Sequence, residues 1–332
     1  MKPLASLSLD LDNEWSYLKT HGDPSWEALP SYLDVAVPRA LDLLRSLDLT
    51  ITFFVVGQDA ALERNHDAIA SLSRAGHEIG NHSFKHEPWL HRYSEIQVRD
   101  ELSRTEEALA GITGSVPIGF RGPGYSLSPT VLEVLVERGY LYDASTLPTV
   151  VGPLARAFYF RSSHLDAAQR EERADLFGSA SEALRPLSPY RWDVGAEGII
   201  EIPVTTMPGL RLPFHVSYLL YLAGRSPALA RAYFRTALLT CRAARVAPSI
   251  LLHPLDVLGG DDVRSLSFFP GMAMSGREKR ELVGGFLALL AERYEICTVG
   301  EHAASLAGSE LPVVTPGARR PSRRAAVAGS HR

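Results

Sequence analysis

Between Thr50 and Gly57 the chain reads Thr-Ile-Thr-Phe-Phe-Val-Val-Gly, a continuous apolar and β-branched run. Such a run suits a strand buried on both faces, the kind found in parallel sheets covered by helices. Helical patterns lie on both sides of it. Leu7 to Asp12 alternates with a period of two and reads as a strand. Pro38 to Leu47 follows as a helix, with Pro38 suited to a first-turn position. After the buried run a helix is expected from about Asp59 to Ala75, stopped by Gly76, then a short strand His77-Glu78-Ile79. Ser94-Glu95-Ile96-Gln97 has the spacing of a capping box and opens a helix that ends near Gly111. Pro117-Ile118-Gly119-Phe120 is the next strand, and Ser128-Pro129 starts a helix running up to Gly139. This alternation with short connections predicts a parallel α/β architecture.

Further on, Gly198 to Val204 returns to a strand, with Glu201 in it. Ser249-Ile250-Leu251-Leu252-His253-Pro254 is a buried strand that terminates in a histidine. Glu278 to Arg293 is an amphipathic helix followed by the strand Tyr294 to Val299. Residues 150–195 break the rhythm with Phe158-Tyr159-Phe160, a charged stretch from Asp166 to Asp175, and Pro186 and Pro189. They read as an insertion covering one edge of the site. From Ser309 the composition turns to Pro, Gly, Ser and Arg, with Arg319, Arg320, Arg323 and Arg324, which predicts a disordered basic tail. The expected organisation is one catalytic domain over 1–308 and a tail over 309–332.

With 332 residues, 45% hydrophobic and 22% charged, the composition is that of a soluble globular protein. A net charge of −4 argues against bulk nucleic-acid binding. Cys241 and Cys297 are too few for a disulfide framework and lack metal-type spacing, which fits a reducing compartment. No secretory leader pattern follows Met1, and no apolar run reaches the roughly 20 residues of a membrane span, so a cytoplasmic protein is expected.

The chemistry-bearing residues cluster by position. Asp10 and Asp12 share one face of their strand, roughly 6.5–7 Å apart, and a cation beside them would keep both ionised. His82 and His86 lie four apart in Glu78-Ile79-Gly80-Asn81-His82-Ser83-Phe84-Lys85-His86. One helical turn, or a tight loop closing like one, would put both imidazoles on one side as a two-point metal grip. The bland alternatives are a solvated strand end and two surface histidines. Arg121 and His253 also sit at strand ends, and in parallel α/β barrels the active site is built on that face. His21, His66, His77, His91, His164, His215 and His302 have no partner at informative spacing and read as surface or cap residues.

Taken together, Leu9-Asp10-Leu11-Asp12, His82-Ser83-Phe84-Lys85-His86, Phe120-Arg121-Gly122-Pro123-Gly124-Tyr125-Ser126 and Leu251-Leu252-His253-Pro254 resemble, in order, motifs of the polysaccharide deacetylase superfamily. These are the carbohydrate esterases sharing the NodB homology domain, here its intracellular or peptidoglycan-deacetylase-like branch. The resemblance implies a distorted parallel (β/α) barrel, seven-stranded. It implies Asp10 as catalytic base, Asp12, His82 and His86 as ligands of one divalent metal ion, Arg121 as the group steadying Asp10, and His253 as catalytic acid. Zinc is the first choice of metal, with cobalt, nickel or manganese as alternatives. The Tyr125 N–H would help hold an oxyanion, and Gly124, Leu252 and Trp89 would line the substrate site. The family's Asp-x-x-Asp-Trp motif is missing. The acid orienting His253 is left among Asp193, Glu201 and Asp256, with Glu201 favoured.

The activity implied is removal of an N-acyl group, N-acetyl first, from an amino sugar. A segment over 204–246 bears on the substrate. It has no acidic residue, and it carries Arg211, Arg225, Arg231, Arg235, Arg242 and Arg245 beside the apolar run Leu212 to Leu222. It reads either as a barrel helix with a solvated basic face or as a helix lying in a membrane interface, which would suit a lipid-linked sugar. The rival functions are a hydrolase of a cyclic ureide or imide on the same scaffold, and a catalytically silent carbohydrate- or membrane-binding homologue.

Overall fold

The computed structural model describes residues 2–152 and 180–317. Ten strands make one sheet: β1 (Leu4–Leu11), β2 (Thr52–Val55), β3 (Glu78–Asn81), β4 (Gly119–Phe120), β5 (Tyr142–Asp143), β6 (Tyr190–Trp192), β7 (Ile199–Glu201), β8 (Ser249–Leu252), β9 (Glu295–Cys297) and β10 (Val313–Val314). Seven of them, in the spatial order β7-β5-β4-β3-β2-β1-β8, pair in parallel and form the curled core of the barrel. The other three are additions. β9 pairs with the first residues of β1, β6 runs antiparallel to β7, and β10 lies beside β6. Just past β7, the Thr205 N–H donates to the Ser249 carbonyl at 3.0 Å and Thr205 Oγ1 accepts from Ser249 N–H at 2.8 Å. Those two bonds draw the ends of the curl together.

Alternation along β1 sorts its side chains between two environments. Leu7, Leu9 and Leu11 point outward into the main apolar core, against the helices Leu33–Ser46, Val216–Ala223, Pro227–Ala244 and Gly276–Arg293. Ser6, Ser8, Asp10 and Asp12 point inward. The interior is filled by Phe54, Tyr142, Ile200 and Ile202, and the helix Val299–Ser305 plugs its N-terminal end with Val299 and Ala303. Side-chain bonds seat this plug: Ser6 Oγ meets His302 Nδ1 at 3.0 Å, and Glu78 accepts from Gly300 N–H at 2.9 Å. Gly119 makes room for Tyr142, since a Cβ there would lie 2.0 Å from the ring. Among the described residues the barrel is therefore closed at its N-terminal end, which leaves the end where the strands' C-termini lie for a site.

Several expectations are revised. Pro38 lies inside the Leu33–Ser46 helix rather than in its first turn, because the helix begins five residues earlier. The expected helix from Asp59 to Ala75 is three pieces, Gly57–Ala60, Glu63–Asn65 and His66–Arg74. Asn65 breaks it by donating from its side chain to the Asp59 carbonyl at 3.1 Å. Part of the expected tail is ordered: Val313–Val314 form β10, and the Pro312 carbonyl accepts from Arg191 N–H at 2.8 Å. The arginines of that tail, and Phe158 to Phe160 and Asp166 to Asp175 of the insertion, lie outside the described residues. In the 204–246 segment the apolar face is used by the core through Phe214, Leu219, Leu220, Phe234 and Leu238. Arg225, Arg231, Arg235 and Arg242 are exposed, as expected of a barrel helix with a solvated basic face. Among the described residues no helix is long and apolar enough to cross a membrane.

Candidate active site

Strand register assembles the site. Val55 is paired with Asn81 and Asn81 with Phe120, so one residue further on His82 and Arg121 stand in the row above the strand ends, with Asp12. Asp12 Oδ1 lies 3.3 Å from His82 Nε2 and 3.0 Å from His86 Nε2, and all three side chains are buried. His82 Nδ1 contacts the Arg121 carbonyl at 2.6 Å. A carbonyl can only accept, so the ring proton sits on Nδ1 and the Nε2 lone pair faces Asp12 and His86. Burial opposes charge on Asp12, but the two imidazoles outweigh it and hold its carboxyl well below the usual range.

The His82–His86 stretch takes the tight-loop alternative, not a helical turn. Ser83 and His86 both adopt positive φ, 59° and 52°, a costly choice for residues other than glycine. The loop is over-determined. Glu101 accepts from both Phe84 N–H and Lys85 N–H at 2.8 Å, and the Ser83 and Phe84 carbonyls accept from Gly57 and Gln58. Gly57 is needed for this approach, because a Cβ there would lie 2.3 Å from Thr105 Oγ1. Among the described residues, Asp12 Oδ1 and both ring nitrogens of His86 are buried with no hydrogen-bond partner outside the three-residue cluster itself. Orphaned buried atoms of this kind carry a penalty unless something binds them. One carboxylate and two imidazoles, aimed at one point, fit a divalent ion such as zinc.

Asp10 lies one layer below, beside Arg121, which crosses the barrel interior. The Arg121 guanidinium donates to Asp10 Oδ1 at 3.1 Å and to Ser8 Oγ at 3.3 Å, and covers the Phe54 ring at 4.6 Å. It is fully buried, so its charge fixes the carboxylate in place. The loop after β4 is fastened by residues that the sequence did not single out. Ser145 Oγ accepts from Gly122 N–H at 2.7 Å and donates to Asp143 Oδ1 at 2.5 Å. His91 and Ser126 join this loop to the one carrying Trp89. Gly124, at φ +57°, sits against Pro88. The Tyr125 N–H donates to the Gly122 carbonyl at 2.9 Å, so the oxyanion role expected of it is corrected: the donor closes its own turn. The Tyr125 phenol is pushed well above its ordinary value by burial and then by the charge of Asp10, so it stays a neutral donor beside the carboxylates.

Leu9 is paired with Leu252, so the next residues, Asp10 and His253, stand side by side on neighbouring strands about 4.8 Å apart. His253 Nδ1 meets Ser217 Oγ at 3.0 Å, Asp256 accepts from the His253 N–H at 2.8 Å, and Ser217 also bonds the Asp256 carboxylate. Asp256 is thus the acid behind His253, acting through Ser217. Glu201 is corrected in this role. It lies on the outward face with its row partner Asp143, accepting from Thr146 N–H and Oγ1 at 3.0 and 2.6 Å and from Trp192 Nε1 at 2.9 Å. Leu252 is corrected too: it shares the outward face with Leu9 and packs in the helix-facing core, whereas Leu251 shares the inward face with Ser8. His215, expected at the surface, packs edge-on to His253 at 6.2 Å, and burial drives its pKa down to about 3.

Two predictions arise from these contacts. Ser217→Ala is expected to lower kcat about tenfold and to move the alkaline limb of the kcat/KM profile to lower pH, with bound metal unchanged. An unmoved limb would remove Ser217 and Asp256 from the acid's support. The second concerns Asp143 and Glu201, whose carboxyls are both raised by burial, Glu201 well above its ordinary value because the charge of Asp143 adds to the burial. An acid raised by folding contributes stability that is intact below its unfolded value and lost as pH rises through its folded value. Thermal stability should therefore fall as pH rises from about 4 toward 8. Asp143→Asn should flatten that fall, restoring roughly 2–4 °C of Tm per kcal/mol recovered at pH 8. A melting curve series across pH reads both.

A family profile described as polysaccharide deacetylase matches residues 26–142, which hold His82, His86, Trp89, Arg121, Gly124 and Tyr125. A peptidoglycan deacetylase of Helicobacter pylori is 28% identical over 148 residues, 43% of this chain and 50% of that protein. A peptidoglycan-N-acetylmuramic acid deacetylase of Bacillus subtilis is 36% identical over 104 residues, 31% of this chain and 38% of that protein. The chain thus spans half the length or less of these relatives. A solved structure from Mycobacterium smegmatis, provisionally described as a polysaccharide deacetylase, superposes with a TM-score of 0.62 at 23% identity, covering 97% of this chain and 95% of that one. At that identity the likeness shows the fold. Asp10, Asp12 and His253 lie outside the matched stretch and are brought to it by β1 and β8. Profile and relatives thus make residues 26–142 similar to polysaccharide deacetylases, and the barrel that completes the site has the fold of the Mycobacterium smegmatis structure.

Proposed function

We propose that the protein is a metal-dependent hydrolase that removes the N-acetyl group from an amino sugar of a cell-envelope glycan. One observation carries the reading: Asp10 and His253, a base and an acid on adjacent strand ends, flank the ligand set Asp12, His82 and His86. A divalent ion held there supplies Lewis acidity, polarising an amide carbonyl and acidifying water. The chain's own residues do the proton work. Asp10, oriented by Arg121, takes the proton of the attacking water. His253, with Nδ1 engaged by Ser217, gives the proton from Nε2 to the departing amine. The loop carrying Tyr125, joined by Ser126 and His91 to the loop carrying Trp89, is where the acyl group and sugar ring would be received. Peptidoglycan, named for both curated relatives, is the first substrate to try.

The test is acetate or formate release from peptidoglycan and from free, nucleotide-linked and polyprenyl-linked N-acetyl and N-formyl amino sugars, with chelator and zinc add-back. Chelator-sensitive release supports the reading, and the responding class reports whether a lipid-linked precursor is used. Metal binding without release from any sugar would turn the assignment to a cyclic ureide or imide.

A further inference from the structure

The two histidines of the ligand set are held in different ways. His82 is fixed through its far ring nitrogen, which donates to the Arg121 carbonyl at 2.6 Å. A ligand imidazole is ordinarily oriented by such a bond. Among the described residues His86 Nδ1 is buried and has none. The loop sets the His86 backbone, at φ 52°, and leaves the ring to packing. That ring lies edge-on to His82 at 5.0 Å and edge-on to Trp15 at 6.5 Å, the latter with planes 83° apart. Trp15 is itself buried and bonded: its Nε1 donates to Asp59 Oδ1 at 2.9 Å. The same oxygen accepts from Asn13 Nδ2 at 2.7 Å. Asn13 follows the ligand Asp12 and caps the Glu14–His21 helix, its Oδ1 accepting from Glu14 N–H at 2.8 Å and Tyr32 N–H at 3.1 Å.

Asp59 is fully buried and takes no part in the proton chemistry. Burying a carboxyl is costly unless it is bonded, and the bonds of this one run to the neighbours of the metal grip. Asn65 steadies it from behind, donating to its carbonyl at 3.1 Å. One carboxylate oxygen thus stands behind Asp12 through Asn13 and behind His86 through Trp15. We infer that Trp15, anchored by Asp59, is the positioning residue of His86, in place of the hydrogen bond that orients His82. The inference rests on the metal-dependent reading and adds two residues outside the ligand set to it.

The experiment measures zinc Kd by chelator competition, and Tm of the zinc-free protein, for wild type, Trp15→Phe, Asp59→Ala, Asp59→Asn and Trp26→Phe. Trp26 is the control, since it packs on the same Lys19 ammonium as Trp15, at 4.9 Å against 5.6 Å. Trp15→Phe and Asp59→Ala should each weaken zinc about 10–100-fold, the range for losing a support of a ligand. Asp59→Asn keeps an acceptor oxygen and should restore most of the affinity, and Trp26→Phe should leave it unchanged. Because one bond links them, the double variant Trp15→Phe/Asp59→Ala should lose less than the product of the two single losses. Equal zinc affinity in Trp15→Phe and Trp26→Phe overturns the inference, and so does a loss that merely follows the zinc-free Tm. Histidine-selective NMR of the zinc-free protein reads the ring without metal. In Asp59→Ala the His86 ring signals should broaden or split while those of His82 stay, and unchanged His86 signals would reject the positioning role. If the wild type binds no divalent ion, the metal reading fails, and these spectra alone decide the positioning.

Discussion

Asp10→Asn should fold, bind one divalent ion per chain and turn over about 10²–10⁴-fold more slowly than wild type, the usual range for losing a general base. The amide keeps an oxygen for the Arg121 guanidinium, which also retains Ser8 Oγ and the Phe54 ring. What it loses is the ability to take a proton near neutral pH. Metal content, Tm and acetate release measured on the same preparation separate these effects. Activity within tenfold of wild type would reject Asp10 as the base. Loss of metal together with activity would place Asp10 among the ligands instead.

His86→Ala is expected to behave in the opposite way, losing metal and activity together. Among the described residues the close polar approach of the His86 ring is that of Nε2 to Asp12 Oδ1 at 3.0 Å, so truncation removes a ligand and one contact within the ligand set. Affinity for zinc should fall by more than the roughly 10–100-fold that follows loss of a supporting group outside the ligand set. Thermal shift gives a readout independent of turnover. At zinc 100 times its Kd the wild type gains about 2.7 kcal/mol, whereas the variant should gain almost nothing at that concentration. An equal zinc-dependent rise in both would remove His86 from the ligand set.

The strand-end residues were legible because each announces itself locally. Asp10 and Asp12 sit in an alternating run, His82 and His86 four apart, Arg121 and His253 at the ends of apolar stretches. Barrel register does the rest, and the structure brings these groups to one open end. What escaped depends on which face a residue takes. Leu251 and Leu252 are equivalent in composition, and only pairing with Ser8 and Leu9 tells inward from outward. Glu201 failed as the acid behind His253 for the same reason, since its row partner Asp143 holds it on the outer face. Asp256 was within reach of reasoning, three residues past His253, but its link runs through Ser217, 36 residues away. His215 had no spacing signal because its partner is contributed by another strand end. The two-valine β10 was invisible within a tail-like composition.

The position of β1 has a consequence for how the molecule is made. β1, made before every other strand of this sheet, lies between β2 on one side and β8 on the other, and β9 pairs with its opening residues. Its last partner emerges only after Cys297, and the helix sealing the barrel floor later still. A nascent chain therefore carries the Asp10–Asp12 edge unpaired on one side through most of synthesis, with non-local contacts that are intrinsically slow to form. By the same logic the stretch 26–142 is a recognisable signature without being a folding unit, since it holds three neighbouring strands and lacks the one they are built upon.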